Sequence, residues 1–189
     1  MPVITIPGML SGDRSISFLR RSLAASGFDS RKSGIDFHAV ATPDSVAVVE
    51  RRLTQVHADT GHKVALIGWS LGGLYARLIA HRYPDKVSAV MTLGTPFSGD
   101  PHANNAWRLY ELLSGHKVTQ SPFAEDISVK PQVPTIAMWS ARDGVISPES
   151  SCGLPHESDR QVEVHAGHLN FATKAAYVRR IIKLLAETK

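Results

Sequence analysis

The chain predicts an α/β fold: a doubly wound, mostly parallel sheet of about six strands with helices on both faces. Three observations carry this expectation. Short β-branched apolar runs alternate with longer segments of helical periodicity. The strand-like runs, residues 3–6 and 87–93 among them, are continuously apolar, as strands covered on both sides are. Residues 63–74 read K-V-A-L-I-G-W-S-L-G-G-L, a strand, a tight glycine-flanked turn and a helix in direct succession.

Residues 3–6 form the first strand, broken by Pro7-Gly8-Met9-Leu10-Ser11-Gly12. Residues 14–25 read as a helix, with Ile16, Leu19 and Leu23 on one face and Gly27 as its stop. The polar stretch 28–37 has room for one short edge strand. Thr42-Pro43 starts the next helix with a capping hydroxyl and a proline at the first position. Val46, Val49, Leu53 and Val56 then repeat at helical spacing up to Gly61. A strand at 64–67 precedes the turn, and residues 71–82 form the helix behind it, ended by Tyr83-Pro84. Residues 87–93 are a strand ending in Gly94-Thr95-Pro96. Residues 97–132 form a longer insertion, with one helix expected at 106–113 and a second near 123–127. A strand at 134–139 runs into Ser140-Ala141-Arg142-Asp143-Gly144. A turn-rich stretch covers 148–160, a last strand 162–164, and an amphipathic helix 171–186 closes the chain.

No internal repeat, low-complexity tract or linker interrupts this order, so residues 1–189 are expected to form one domain, with 97–132 as a small lid-like insertion. A chain of 189 residues with 43% hydrophobic and 20% charged residues suits one globular core. The net charge of +4 comes without a basic run long enough for a nucleic-acid patch. Arg20-Arg21, Arg51-Arg52 and Arg179-Arg180 fall on predicted solvated helix faces. Cys152 is the single cysteine, which excludes an intrachain disulfide and a cysteine-rich metal site. The first residues lack the charged start and apolar core of a signal peptide, and no run is long enough to span a bilayer. The expectation is a soluble, cytoplasmic protein; a secreted protein after leader removal reads the same.

The chemistry centres on Gly68-Trp69-Ser70-Leu71-Gly72. G-x-S-x-G between a strand and a helix is the nucleophile-elbow pattern. A turn sharp enough to expose a serine at the top of a sheet leaves no space for Cβ atoms on its flanks. Free N–H groups at the helix start favour developing negative charge. Ser70 needs a base, and the base needs a carboxylate to hold its tautomer. In a parallel sheet such groups collect at the carboxyl ends of strands. Asp143 follows the strand 134–139 and His168 follows the strand 162–164, in the order nucleophile, acid, base.

His165 is the rival base, but it falls at the strand end, whereas Gly167 gives His168 a flexible step. His165-x-x-His168 has metal-pair spacing without a further acidic or Cys partner nearby, so no metal site is expected. His57, His62 and His81 lie on or beyond polar helix faces; His38, His102, His116 and His156 read as solvated loop histidines. Asp126 and Asp159 are the alternative acids, and neither follows a strand. The oxyanion donors expected are the N–H of Leu71 and, from the loop after the first strand, that of Met9.

With these residues the chain resembles the α/β-hydrolase superfamily over almost its whole length. Gly68-Trp69-Ser70-Leu71-Gly72-Gly73, Leu93-Gly94-Thr95-Pro96, Asp143-Gly144 and Gly167-His168 stand where such enzymes carry them. The opening Pro-Gly-Met-Leu looks like the oxyanion loop of small, lid-poor bacterial lipases and esterases, with Pro7-Gly8 in place of their usual His-Gly. Trp69 is also similar to the elbow tryptophan of pimeloyl-acyl-carrier-protein methyl ester esterases, which carry a larger cap. The resemblance implies a serine hydrolase cleaving carboxylic esters or lipids through an acyl-enzyme on Ser70, with no cofactor and no metal. Its substrate would be a small ester or lipid, with no nucleic-acid partner and no stable membrane insertion. Leu10, Trp69 and Phe97, with Met9 and Leu71, would line the substrate pocket. A thioesterase, an acyltransferase or a silent binding module on the same scaffold are the competing readings.

Overall fold

The computed structural model describes residues 1–105, 107–115, 117–119 and 123–188, with Leu109 as backbone only. Six strands, β1 (Pro2–Ile6), β2 (Asp29–Lys32), β3 (Val64–Trp69), β4 (Val87–Leu93), β5 (Thr135–Trp139) and β6 (Arg160–Glu163), form one sheet in the order β2-β1-β3-β4-β5-β6. Every pairing is parallel. The helices are α1 (Ser17–Ala25), α2 (Pro43–Thr60), α3 (Leu71–Arg82), α4 (Trp107–Ser114), α5 (Pro148–Cys152) and α6 (Ala175–Ala186).

The continuous apolar strands feed two cores. Val3, Ala65, Ile67, Met91 and Met138 pack with Leu19 and Leu23 of α1 and with Val178, Ile181 and Leu184 of α6. Their neighbours in sequence, Ile4, Leu66 and Val90, point the other way. They meet Val49 and Leu53 of α2 and Leu78 and Ile79 of α3. α1 and α6 therefore cover one face and α2 and α3 the other. Both sheet edges, β2 and β6, are polar, which discourages pairing with another chain. The chain runs from β1 outward to β2 and then returns to β3 on β1's other side. This reversal opens a crevice at the carboxyl ends of β1 and β3.

Local chemistry explains the boundaries. The Thr42 side chain accepts from Ser45 N–H at 3.1 Å, and Gly61 closes α2 in the left-handed region at φ 67°. Four expectations need correction. Residues 123–127 form bends leading into a turn at 127 rather than a second insertion helix; the Asp126 carboxylate accepts from both the N–H and the hydroxyl of Ser128, which competes with helical bonding. The stretch 148–160 holds α5, capped by the Ser147 hydroxyl on Ser150 N–H with Pro148 at its first position. The last strand covers Arg160–Glu163, its start set where Asp159 turns to cap β5. The closing helix begins at Ala175, because 168–170 form a 3-10 turn and 171–174 a further turn before it. Within the insertion α4 begins at Trp107; position 106 of the expected helix, and the loop reading of His116, lie outside the described residues.

Candidate active site

The turn after β3 carries backbone strain at its serine. Ser70 has φ 52° and ψ −121°, and Leu10 is the other described non-glycine residue with positive φ. Such strain persists only where surroundings over-determine it. Here Ser70 N–H donates to Leu93 O at 2.9 Å, while Ser70 O accepts from Gly73 N–H at 2.9 Å and from the Thr95 hydroxyl at 3.0 Å. The flanking glycines are required by close approach. A Cβ on Gly68 would run into the Gly72 carbonyl, and one on Gly72 would lie 2.5 Å from Pro7 O. Gly73 touches Thr95 in the same way. The elbow presses β3, α3 and the loop after β1 together.

Asp143 follows β5, and His168 opens the 3-10 turn after β6. His168 Nδ1 lies 2.9 Å from Asp143 Oδ2, with side-chain exposures of 9% and 1%. The other carboxylate oxygen accepts the N–H groups of Val145 at 3.0 Å and Ile146 at 2.8 Å. His168 N–H donates to Asp143 O at 2.9 Å. A carboxylate can only accept, so Nδ1 is the ring nitrogen that donates to it. Trp69 Nε1–H donates to His168 O at 3.0 Å, and the two rings lie 5.5 Å apart. A Cβ on Gly94 would lie 2.8 Å from Asp143 Oδ2 and 3.3 Å from His168 Nδ1. Gly94 follows Leu93, the residue that holds Ser70, so the pair sits beside the elbow. Among the described residues no hydrogen bond joins Ser70 Oγ to His168; such contacts tighten when substrate binds.

The rival residues are placed elsewhere. His165 is exposed, and its carbonyl accepts from the Tyr177 hydroxyl. Asp126 is exposed on the insertion. Asp159 accepts from Thr135 N–H at 2.8 Å and pairs with Lys130, which puts it at the amino end of β5. Among the described residues no group of three or more His, Cys, Asp or Glu is arranged to hold a metal ion.

Met9, Ser70 and Leu71 border one cavity. Leu71 is the first residue of α3, where no preceding turn supplies an acceptor for its N–H. Gly8 is needed for proximity rather than for an unusual φ: a Cβ there would lie 3.0 Å from the Trp69 ring and 3.2 Å from Ser70 Cβ. His38 is a correction. The sequence reads it as a solvated loop histidine, but it is buried, with Nε2 2.7 Å from Gly8 O and Nδ1 3.3 Å from the Tyr75 hydroxyl. Burial holds its pKa below the ordinary histidine value. No periodicity or motif around position 38 marks it in the sequence.

The cavity holds about 900 Å³, at the upper end of the range for small-molecule sites. Its walls come from the elbow, from Phe97 and from the insertion, including Trp107, Phe123 and Ile127. Of the residues expected at a substrate pocket, Phe97 lines this cavity, and Leu10 and Trp69 do not. Leu10 turns outward and is 45% exposed. Trp69 alternates to the opposite sheet face, where it packs on the α1/α6 core and holds His168. Glu125, Asp126, Glu149 and Glu157 border the cavity, and no described Lys, Arg or His does. Behind Phe97, the fully buried Arg77 guanidinium lies 4.1 Å from the ring centroid. It donates to the carbonyls of Ile127, Ser128, Val129 and Glu157, tying the end of the insertion to α3.

This sheet, with a strained serine at its switch point, is that of a hydrolase fold. Residues 22–130, more than half of the chain, match the family described as alpha/beta hydrolase fold, and the chain belongs to it. Solved structures agree at the level of fold. The monoacylglycerol lipase of Paleococcus ferrophilus superposes with a TM-score of 0.69 at 17% identity, over 99% of this chain and 94% of that one. The mature Bacillus licheniformis lipase BlEst2 gives 0.72 at 16%, over 97% and 91%. Polyneuridine aldehyde esterase gives 0.64 at 15%, over 97% and 98%. No curated protein matches the chain in sequence. No described helix is long and apolar enough to cross a membrane.

Proposed function

We propose that the protein is a serine hydrolase that cleaves carboxylic esters through an acyl-enzyme on Ser70. The observation that carries the reading is the buried His168–Asp143 pair beside a serine held at φ 52°. Its lone pair at Nε2 is the base that a serine nucleophile requires. Ser70 Oγ attacks the ester carbonyl carbon as His168 Nε2 takes the hydroxyl proton. The Met9 and Leu71 N–H groups receive the developing oxyanion, a contribution of about 10²–10³ in turnover for each donor. The carbon–oxygen bond to the alcohol then breaks, and the imidazolium gives its proton to the departing oxygen. Water, deprotonated by the same Nε2, attacks the acyl-serine, and the carboxylic acid and free Ser70 are released. Asp143 stays ionised throughout and stabilises the imidazolium.

The apolar wall of the cavity favours a neutral acyl chain of appreciable length over an acetyl group, and the bordering carboxylates disfavour anionic substrates. A series of p-nitrophenyl esters from two to twelve carbons on the purified protein tests this. The expected result is a kcat/KM that rises with chain length and is abolished by Ser70→Ala. Undiminished hydrolysis by that variant refutes the reading. Parallel thioester and alcohol-acceptor assays separate an esterase from a thioesterase or an acyltransferase.

A further inference from the structure

We infer that His38 is a positioning residue that fixes the two oxyanion donors relative to each other; this rests on the serine-hydrolase reading above. The donors come from independent parts of the chain: Met9 from the loop after β1, Leu71 from the first turn of α3. Something must set their separation, and His38 touches both parts. Its Nε2 lies 2.7 Å from Gly8 O, and its Nδ1 lies 3.3 Å from the hydroxyl of Tyr75, one turn beyond Leu71 on α3. His38 N–H also donates to Ser11 O at 3.1 Å, an isolated bridge that anchors the imidazole from its own backbone.

The direction of the Met9 N–H follows from peptide geometry. No described peptide bond is cis, so the Gly8 carbonyl and the Met9 N–H, which share one planar unit, point in opposite directions. Gly8 O has both of its lone pairs engaged, by His38 Nε2 and by the Ser11 hydroxyl at 2.6 Å. Those two bonds aim the carbonyl at His38 and thereby aim the N–H away from it. A Cβ on Gly8 would lie 3.2 Å from Ser70 Cβ, so the peptide so clamped is the one next to the nucleophile. The positive φ of Leu10 shows that the loop would not relax into this shape unaided. Gly8 O can only accept, which puts the His38 proton on Nε2 and leaves Nδ1 to accept from Tyr75. Tyr75 Oη also lies 3.3 Å from Val40 O and shares its proton between the two acceptors.

The test compares His38→Gln, whose amide N–H reaches where Nε2 stands, with His38→Asn, whose shorter amide does not, and with Tyr75→Phe. Each is assayed for kcat and KM on one p-nitrophenyl ester, with urea unfolding alongside and Ser70→Ala as the reference. H38N is expected to lose about 10² in kcat at nearly constant KM, the scale of one lost oxyanion donor. H38Q is expected to recover most of it, and Y75F to fall between them. A boronic acid that mimics the tetrahedral intermediate should lose affinity in H38N by the same factor as kcat. Equal kcat in H38Q, H38N and the parent overturns the positioning role, as does a fall in H38N carried by KM alone. If H38N does not fold, Y75F decides: parental kcat with parental boronic-acid affinity overturns the role. Activity retained by Ser70→Ala overturns the hydrolase reading itself, a separate outcome.

Discussion

Replacing Asp143 with asparagine tests the acid–base pair through hydrogen-bond directions alone. Asp143 Oδ1 accepts two backbone N–H groups, that of Val145, half-buried, and that of Ile146, buried. An asparagine must keep its carbonyl oxygen there, because turning the amide around would leave two donors facing an NH₂. Each such unsatisfied group costs about 1–3 kcal/mol. The NH₂ then faces His168 Nδ1, 2.9 Å from the present carboxylate oxygen. Nδ1 must become the acceptor, so the imidazole proton moves to Nε2, the nitrogen that needs a lone pair to act as the base. The wrong tautomer costs about 10⁴ in kcat, or roughly 5.5 kcal/mol at 1.36 kcal/mol per decade. Stability should fall by only about 2 kcal/mol, as two charge-assisted backbone bonds become neutral ones. Ester hydrolysis at saturating substrate and urea unfolding at 25 °C measure the two quantities. A D143N protein that keeps its fold and retains kcat within tenfold of the parent refutes the assignment of Asp143 and the tautomer argument with it.

Arg77→Met removes a guanidinium that serves four carbonyls and stacks on Phe97, so urea unfolding should show a loss of about 4 kcal/mol at roughly 1 kcal/mol per bond; a loss below 1 kcal/mol contradicts the anchoring role. Burial depresses the His38 pKa, so this residue contributes stability that is present above the ordinary histidine value of about 6.5 and is lost as pH falls towards the depressed folded value. The urea midpoint should therefore drop between pH 7.5 and 5.5, and the drop should be smaller in H38Q; the same slope in both proteins counts against it. An ester with a terminal carboxylate on its acyl chain should be poorer than the neutral ester of equal length by about thirtyfold in kcat/KM. That figure corresponds to one carboxylate repulsion of about 2 kcal/mol at ~8 Å with an effective dielectric constant near 20. Equal rates would show that Glu149 and Glu157 do not face the chain.

The sheet was legible because its strands announce themselves as uninterrupted apolar runs and because caps such as Thr42-Pro43 and Gly61 mark helix ends. The elbow was legible for a sharper reason. Three glycines stand where backbone, or Thr95, comes within contact of the missing Cβ, a requirement that no other residue meets. That Asp143 and His168 would meet was legible because strand ends are visible in sequence and loops at the carboxyl edge lie together. α5 obeys the same grammar as α2, with Ser147-Pro148 for Thr42-Pro43, but one turn of helix offers no apolar repeat to read. Leu10 and Trp69 were misplaced in the pocket because proximity along the chain says little about side-chain direction. Trp69 follows the strand's alternation to the other face. His38 was out of reach altogether: its partners, Gly8 and Tyr75, are distant in sequence, and only the folded chain brings them to one ring.

The most direct measurement of the central claim is covalent labelling by a fluorophosphonate, followed by peptide mapping and mass analysis. Activation of one serine by the His168–Asp143 pair predicts a single phosphonyl adduct on Ser70, absent in Ser70→Ala and formed far more slowly in His168→Ala. An unlabelled parent protein, an adduct on another residue, or an undiminished labelling rate in His168→Ala would contradict it.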